Sequence, residues 1–242
     1  MYASREVQIA NGDNFETLKR CNGYYACPKD QSGKRLGPLV GYAARYDGVH
    51  QWVGEVYYNF AMGEQYPHVR DYFATQLAEK FRQAGIQPDV IIGAPMGGIL
   101  LSGDLGRHLD CRTVFLEKDI TKLASKDSRE KSTLTFIRHS IRKGDRVVIG
   151  EDLVNNFSTS EQANQVIEKV GGKLIAISCA CNRSSEQYCK VGSTRVPIAA
   201  MMNLPTQQYQ QDDPEVVADI AAGNVVWKPK DEWHKLVSIA SV

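Results

Sequence analysis

The 242 residues carry 29 Lys and Arg against 28 Asp and Glu, a net charge of +1, which argues against a basic nucleic-acid face or an electrostatic membrane surface. The length suits one domain with an appendage or two small ones, and no apolar run approaches the roughly 20 residues of a bilayer span. The first residues lack the apolar centre of a secretory signal, and the six scattered cysteines read as reduced thiols, so the expectation is a cytoplasmic protein with no nucleic-acid or membrane partner.

Residues 1–64 mix turn residues with short apolar runs and read as a β-containing N-terminal subdomain. Within it, QWVGEVYYNF (51–60) has the composition of a strand or hairpin arm and carries Tyr57 and Tyr58. From residue 65 the period changes. Val69, Tyr72, Phe73, Leu77 and Phe81 recur at spacings of three and four, so a helix with one apolar face spans about 65–85, with Pro67 in its first turn and Gly85 as its stop. Asp89-Val90-Ile91-Ile92 then reads as a buried strand. The turn Gly93-Ala94-Pro95-Met96-Gly97-Gly98 follows, leading into a helix over 99–109 and a strand over 113–116. Glycine ahead of a helix lets backbone approach a bound anion, although close helix–strand packing explains Gly97 and Gly98 equally. The turn matches neither G-x4-G-K-[ST] nor G-x-G-x-x-G.

Residues 117–136, EKDITKLASKDSREKSTLTF, hold five cations and four anions with scattered apolar residues. A polar insertion of this length inside an α/β unit reads either as a solvated loop or as a lid. Lys118, Lys122, Lys126, Arg129 and Lys131 are the charges it can bring to an anion.

RVVIGEDLVNNFST (146–159) is the most informative stretch. Val147, Val148 and Ile149 read as a strand buried on both faces, with Glu151 and Asp152 where it should end. Leu153 and Val154 lead into Asn155, Asn156, Phe157, Ser158 and Thr159, polar or small apart from Phe157. An amphipathic helix over roughly 160–170 follows, entered through a capping box of Ser158 and Glu161. A helix terminus offers N–H groups to a phosphate, and carboxylates one loop away accept bonds from hydroxyls. A ligand with both phosphate and sugar hydroxyls suits the arrangement. A strand over 174–180, then Cys181-Asn182-Arg183, and a strand over 196–202 complete an alternating α/β pattern with a parallel sheet. In the tail, Asp213 caps a short helix begun by Pro214 and stopped by Gly223.

Hydrophobic strand, two acids, two variable residues and a small-residue loop resemble the phosphoribosyl pyrophosphate (PRPP) motif of type I phosphoribosyltransferases, with Asn155–Thr159 in place of the usual Thr- and Gly-rich loop. Other stretches resemble orotate phosphoribosyltransferases. Tyr57-Tyr58-Asn59 is similar to an aromatic-Asn stretch by the base pocket, and Glu117-Lys118-Asp119 to the start of the catalytic loop. Arg183 matches an arginine facing the base. The resemblance implies a type I phosphoribosyltransferase core, a twisted parallel sheet flanked by helices, over 65–205. A hood over 1–64 and a helical extension over 206–242 packing on the core would complete it.

The implied reaction converts orotate and PRPP to orotidine 5′-phosphate and pyrophosphate. Glu151, Asp152 and residues 153–159 would bind PRPP, and Ala94, Pro95, Met96, Gly97 and Gly98 the pyrophosphate. Lys118, Lys122 and Asp152 would be catalytic, and Arg183, Tyr57 and Tyr58 would meet the base. Mg²⁺ would be held by PRPP oxygens and water with no direct side-chain ligand, and the enzyme would be a homodimer. The alternatives are a phosphoribosyltransferase for a purine or other base, or a PRPP-binding regulator without catalysis.

Overall fold

The computed structural model describes residues 7–122 and 131–240. Lys126 and Arg129 of the expected lid lie outside the described residues, as do the side chains of Lys122 and Lys131. Contacts divide the chain into two units. The first combines residues up to Thr17 with Glu64–Pro205, and the second combines Leu18–Gly63 with the residues from Thr206 on.

In chain order the first stretch holds α1 (Asn14–Arg20), β1 (Tyr24–Ala26), β2 (Leu39–Arg45), β3 (Gln51–Gly54), β4 (Val56–Tyr58) and α2 (Ala61–Glu64). The central stretch begins with α3 (Pro67–Gln83), β5 (Val90–Gly93), α4 (Ile99–Leu109), β6 (Arg112–Phe115), β7 (Glu117–Lys122) and β8 (Lys131–Thr135). It continues through β9 (Arg146–Val154), α5 (Ser158–Val170), β10 (Lys173–Asn182), β11 (Tyr188–Val191) and β12 (Thr194–Asn203). The tail holds α6 (Val217–Ala221), β13 (Val225–Val226) and α7 (Trp233–Ala240).

The first unit is built on a six-stranded sheet in the order β11-β12-β10-β9-β5-β6, parallel except for the β11–β12 pair. All four residues of β5 are buried, as are Val147 to Glu151 of β9, which is why these strands read as unbroken apolar runs. The pleat sends successive residues to opposite faces. Val147 and Ile149 join Ala163 and Ile167 of α5 in one core cluster. On the other face Gly150 lies against Ser102 of α4, where a β-carbon would come within 2.0 Å of the hydroxyl. Helix α3 buries Val69, Phe73, Leu77 and Phe81 as its period predicts. It starts at Pro67 and stops at Gln83, ahead of Gly85, whose φ of +66° lets the Ile86 N–H return to the Phe81 carbonyl at 2.9 Å.

The polar stretch 117–136 is not a plain loop. Its arms β7 and β8 pair as an antiparallel hairpin, Lys118 opposite Leu134. Buried Leu134 anchors the hairpin in the core, while Glu117 binds Arg138 at 3.1 Å across its base. With Leu134 as the one apolar residue of Lys131–Thr135, the arm carries no period-2 signal to read from the sequence.

In the second unit, β1 pairs with β4, and β2 stands between β3 and β13. Tyr25, Val40, Tyr42, Trp233 and Leu236 form its core. The tail helix α6 is shorter than expected. Asp213 does not cap it: its carboxylate takes the Gln210 N–H at 2.7 Å, and its carbonyl takes the N–H groups of Val216 and Val217. Those bonds close Asp213–Val216 as a turn and delay the helix to Val217.

Candidate active site

The strand order reverses direction between β5 and β9. From β5 the chain moves outward to β6, and from β9 it moves the other way through β10 to β12. In an open α/β sheet the crevice at the carboxyl ends of the strands flanking such a switch point is where ligands bind. Both stretches singled out from the sequence, Gly93–Gly98 and Glu151–Thr159, lie there.

After β5, the Ala94 N–H bonds the Gly150 carbonyl at 2.8 Å, tying the turn to the neighbouring strand. Gly98 is the N-cap of α4 and provides no side-chain cap. Each glycine is required by a different neighbour. A β-carbon on Gly98 would stand 2.1 Å from the Gly150 carbonyl oxygen, so this glycine permits helix–strand packing. One on Gly97 would stand 2.2 Å from Asp152 Oδ2 and 2.4 Å from its Cγ. Gly97 therefore makes room for a carboxylate of the acidic pair. Met96 beside it is 82% exposed and supplies no charge to the turn.

The acidic pair is placed differently from the sequence expectation. Strand β9 does not end at Glu151 but runs on to Val154, because Leu153 and Val154 still pair with Cys181 and Asn182 of β10. Consecutive strand residues face opposite ways, so the two carboxylates are separated by the sheet. Asp152 points to the α4 turn. Glu151, only 7% exposed, faces the start of α5 and accepts a bond from the Ser160 hydroxyl at 3.3 Å. Burial pushes the Glu151 carboxyl up to about 8, the Asp152 charge adds to the rise, and the Ser160 hydroxyl opposes it.

Residues 153–160 together with Glu151 line a half-open cavity of about 80 Å³. Since liquid water occupies about 30 Å³ per molecule, a compact group of a few heavy atoms fits. The expected capping box is absent. Ser158 is the first residue of α5, and the Glu161 N–H is bonded to the Phe157 carbonyl at 2.8 Å. Asn156 explains the change: its side-chain oxygen accepts from the Ser158 N–H at 3.3 Å and the Ser158 hydroxyl at 3.1 Å, starting the helix two residues early. Phe157 is the N-cap at φ +57°, a left-handed conformation that costs a non-glycine residue about 1–2 kcal/mol. Its ring packs against the α5-side core, which offsets that cost and holds the loop's path.

Arg183 follows β10 and is 8% exposed; its N–H bonds the Val154 carbonyl at 2.8 Å, bringing it to the same strand ends. Asn182, 2% exposed, braces the next turn by accepting from the Ser184 N–H at 3.0 Å and donating to the Glu186 carbonyl at 2.7 Å. The hairpin rises from the same sheet edge, since β6 pairs with β5 up to Gly93 opposite Phe115. Lys118 is exposed on its first arm. Tyr57 and Tyr58 belong to the second unit, in β4. Tyr58 is buried, and the Tyr57 ring centroid lies 5.8 Å from that of Trp233.

Glu64 was not legible in the sequence. It ends the short α2, is 8% exposed, and its carboxyl is pushed up to about 7 by burial and then by the Asp152 charge. Among the described residues no group of three or more His, Cys, Asp or Glu could hold a metal ion. Asp152 faces the turn at the start of α4, the side chain there whose chemistry would suit a hydrated magnesium ion carried by a ligand.

The family model described as "Phosphoribosyl transferase domain" matches residues 66–202. An orotate phosphoribosyltransferase of Heliobacterium modesticaldum is 32% identical over 150 residues, 62% of this chain and 71% of that one. Among solved structures, an orotate phosphoribosyltransferase from Aeropyrum pernix superposes with a TM-score of 0.52 at 15% identity, covering 78% of this chain and 92% of that one. An adenine phosphoribosyltransferase from Thermoanaerobacter pseudethanolicus gives 0.51 at 16% identity, covering 78% and 99%, so the fold is shared across bases. With the matched span enclosing the parallel sheet and both turns at its switch point, the chain belongs to the phosphoribosyltransferase family.

Proposed function

We propose that the chain is an orotate phosphoribosyltransferase that transfers phosphoribosyl from PRPP to orotate. The observation that carries the reading is the juxtaposition at the β5/β9 switch point of Asp152, the glycine turn that admits it, and the cavity at the start of α5. A sugar with phosphates at both ends needs these three parts together. The similarity to orotate-acting relatives over 62% of the chain supports the choice of base.

Asp152 accepts hydrogen bonds from the ribose hydroxyls, and the α5 loop, residues 155–159, takes the 5′-phosphate. Glu151 beneath that loop is largely protonated near neutral pH, so it adds little negative charge against the phosphate. The diphosphate lies along Ala94–Gly98 at the positive end of α4. The bond from the anomeric carbon to the diphosphate oxygen breaks with its electron pair leaving on oxygen. A ring nitrogen of orotate forms the new bond and gives up its proton. A magnesium ion carried by the diphosphate would supply charge neutralisation for the leaving group. Lys118 or Lys122 of the hairpin adds further positive charge there, and closure of the hairpin excludes water from the oxocarbenium-like centre. Arg183 pairs with the orotate carboxylate through a two-pronged contact. A homodimer, which rests on family resemblance, and a cytoplasmic location, which rests on the reading of the cysteines as reduced thiols, belong to the same proposal.

The test is a panel of orotate, uracil, adenine, guanine and hypoxanthine incubated with PRPP and Mg²⁺, read by pyrophosphate release. Release with orotate alone supports the reading. Release with a purine alone moves the chain to the purine-acting alternative, and binding of PRPP without release for any base would make it a regulator.

A further inference from the structure

The strands that carry the candidate active site at their carboxyl ends have a second feature at their amino ends. There the segments entering β5, β6 and β9 line a half-open cavity of about 810 Å³, all of it within the first unit. Small-molecule pockets span about 300–1,000 Å³, so the space suits a ligand of nucleotide size. Because β5, β6 and β9 are parallel, this cavity lies at the end of the sheet opposite the glycine turn and the α5 loop.

Four arginines and three aspartates line it. Two of the arginines are committed to structure. Arg146 grips Asp89 through Nε at 3.1 Å and Nη2 at 2.9 Å, and Arg112 pairs with Asp145. These pairs fasten the start of β9 to the starts of β5 and β6 and neutralise both carboxylates. Arg82 donates to the His108 carbonyl at 2.7 Å and has Glu79, which does not line the cavity, 3.6 Å away. Arg142 is different. Its backbone N–H bonds Asp145 at 2.6 Å, which fixes its position, yet among the described residues its exposed guanidinium has no hydrogen-bond or ion-pair partner. Asp110, the C-cap of α4 at φ +51°, has an exposed carboxylate that is likewise without such a partner among the described residues. Ile86 and Leu109, both half-buried, give the same cavity an apolar wall.

An exposed arginine on a convex surface is a solvated side chain. Here the guanidinium borders a concave space whose other acids are already held by arginines, beside a carboxylate and apolar surface. We propose that the cavity is a second ligand site that takes a nucleotide, with the phosphate on Arg142, the sugar hydroxyls on Asp110, and the base against Ile86 and Leu109. A guanidinium offers a phosphate two parallel N–H donors, and a carboxylate accepts from hydroxyls. The site is separate from the β5/β9 crevice and does not depend on the function assigned there.

ATP and inorganic triphosphate are the probes, each titrated calorimetrically into the full chain and into its Arg142→Ala and Asp152→Asn variants. ATP should bind the wild type more tightly than triphosphate does. Arg142→Ala should weaken ATP by about tenfold or more, the scale of a lost charge-assisted contact, while Asp152→Asn should bind it as the wild type does. Melting curves should coincide, since the Arg142 side chain holds nothing in the fold. Equal ATP affinity in wild type and Arg142→Ala would overturn the proposal, as would no ATP binding by the wild type. Loss of ATP in Asp152→Asn alone would place the nucleotide in the crevice at the carboxyl ends and overturn the second site. Equal affinity for ATP and triphosphate would reduce the cavity to a cluster of arginines that attracts any anion, and would also overturn it.

Discussion

Replacing Gly97 with alanine separates ligand binding from folding. Gly97 is not at positive φ, so alanine is unfavourable there only for what its methyl group touches. That methyl would lie 2.2 Å from Asp152 Oδ2, 2.4 Å from Cγ and 2.9 Å from Cβ. The carboxylate is the movable partner, and swinging it off its rotamer costs about 0.5–1.5 kcal/mol. The larger loss is the charge-assisted hydrogen bond to a ribose hydroxyl, about 1.5–3 kcal/mol, or about ten- to a hundredfold in PRPP affinity. Gly98→Ala is the control with the opposite signature. Its methyl meets the Gly150 carbonyl oxygen at 2.1 Å, backbone that cannot rotate away, so it should lower stability by about 1–3 kcal/mol. The assay pairs PRPP titration with thermal melting for both variants. Native PRPP affinity in Gly97→Ala with native melting would refute the placement of Asp152 in the site.

Three further outcomes are expected. Alanine at Lys118 or Lys122 should lower turnover at least tenfold, whereas alanine at Arg129 or Lys131 should not; four single variants assayed with orotate and PRPP decide it. Arg183→Ala should weaken orotate by about 2–4 kcal/mol and leave PRPP affinity near wild type, measured by side-by-side titration of the two ligands. Glu151 holds its proton in the folded state up to about pH 8 but releases it from about 4.5 when unfolded. Its contribution is therefore fully present below about 4.5 and lost as pH rises to about 8. Glu151→Gln should gain melting temperature relative to wild type across that window, and a constant difference would contradict the burial argument.

The core of the fold was legible because its strands are buried on both faces. Val90-Ile91-Ile92 and Val147-Val148-Ile149 have no polar alternation to misread, and α3 and α4 carry their own periodic face and stops. What was not legible depended on pairing or on single hydrogen bonds. The extension of β9 past Asp152 comes from its register with β10, and that extension turns an apparent acidic pair into two carboxylates on opposite faces. The capping box at Ser158 lost to a local bond from Asn156, two residues that sequence spacing cannot rank. Glu64 carries no signal in Ala-Met-Gly-Glu; only the approach of α4 and β9 makes it part of the site. Phe157 looked out of place in a phosphate loop, and its ring's contact with the core explains how a left-handed position tolerates it.

The most direct test of the central claim is a calorimetric titration of PRPP with Mg²⁺ into the wild type and Asp152→Asn. The β5/β9 crevice predicts wild-type binding and at least a tenfold loss in the variant, with melting curves that coincide. Equal PRPP affinity in the two proteins would contradict the account.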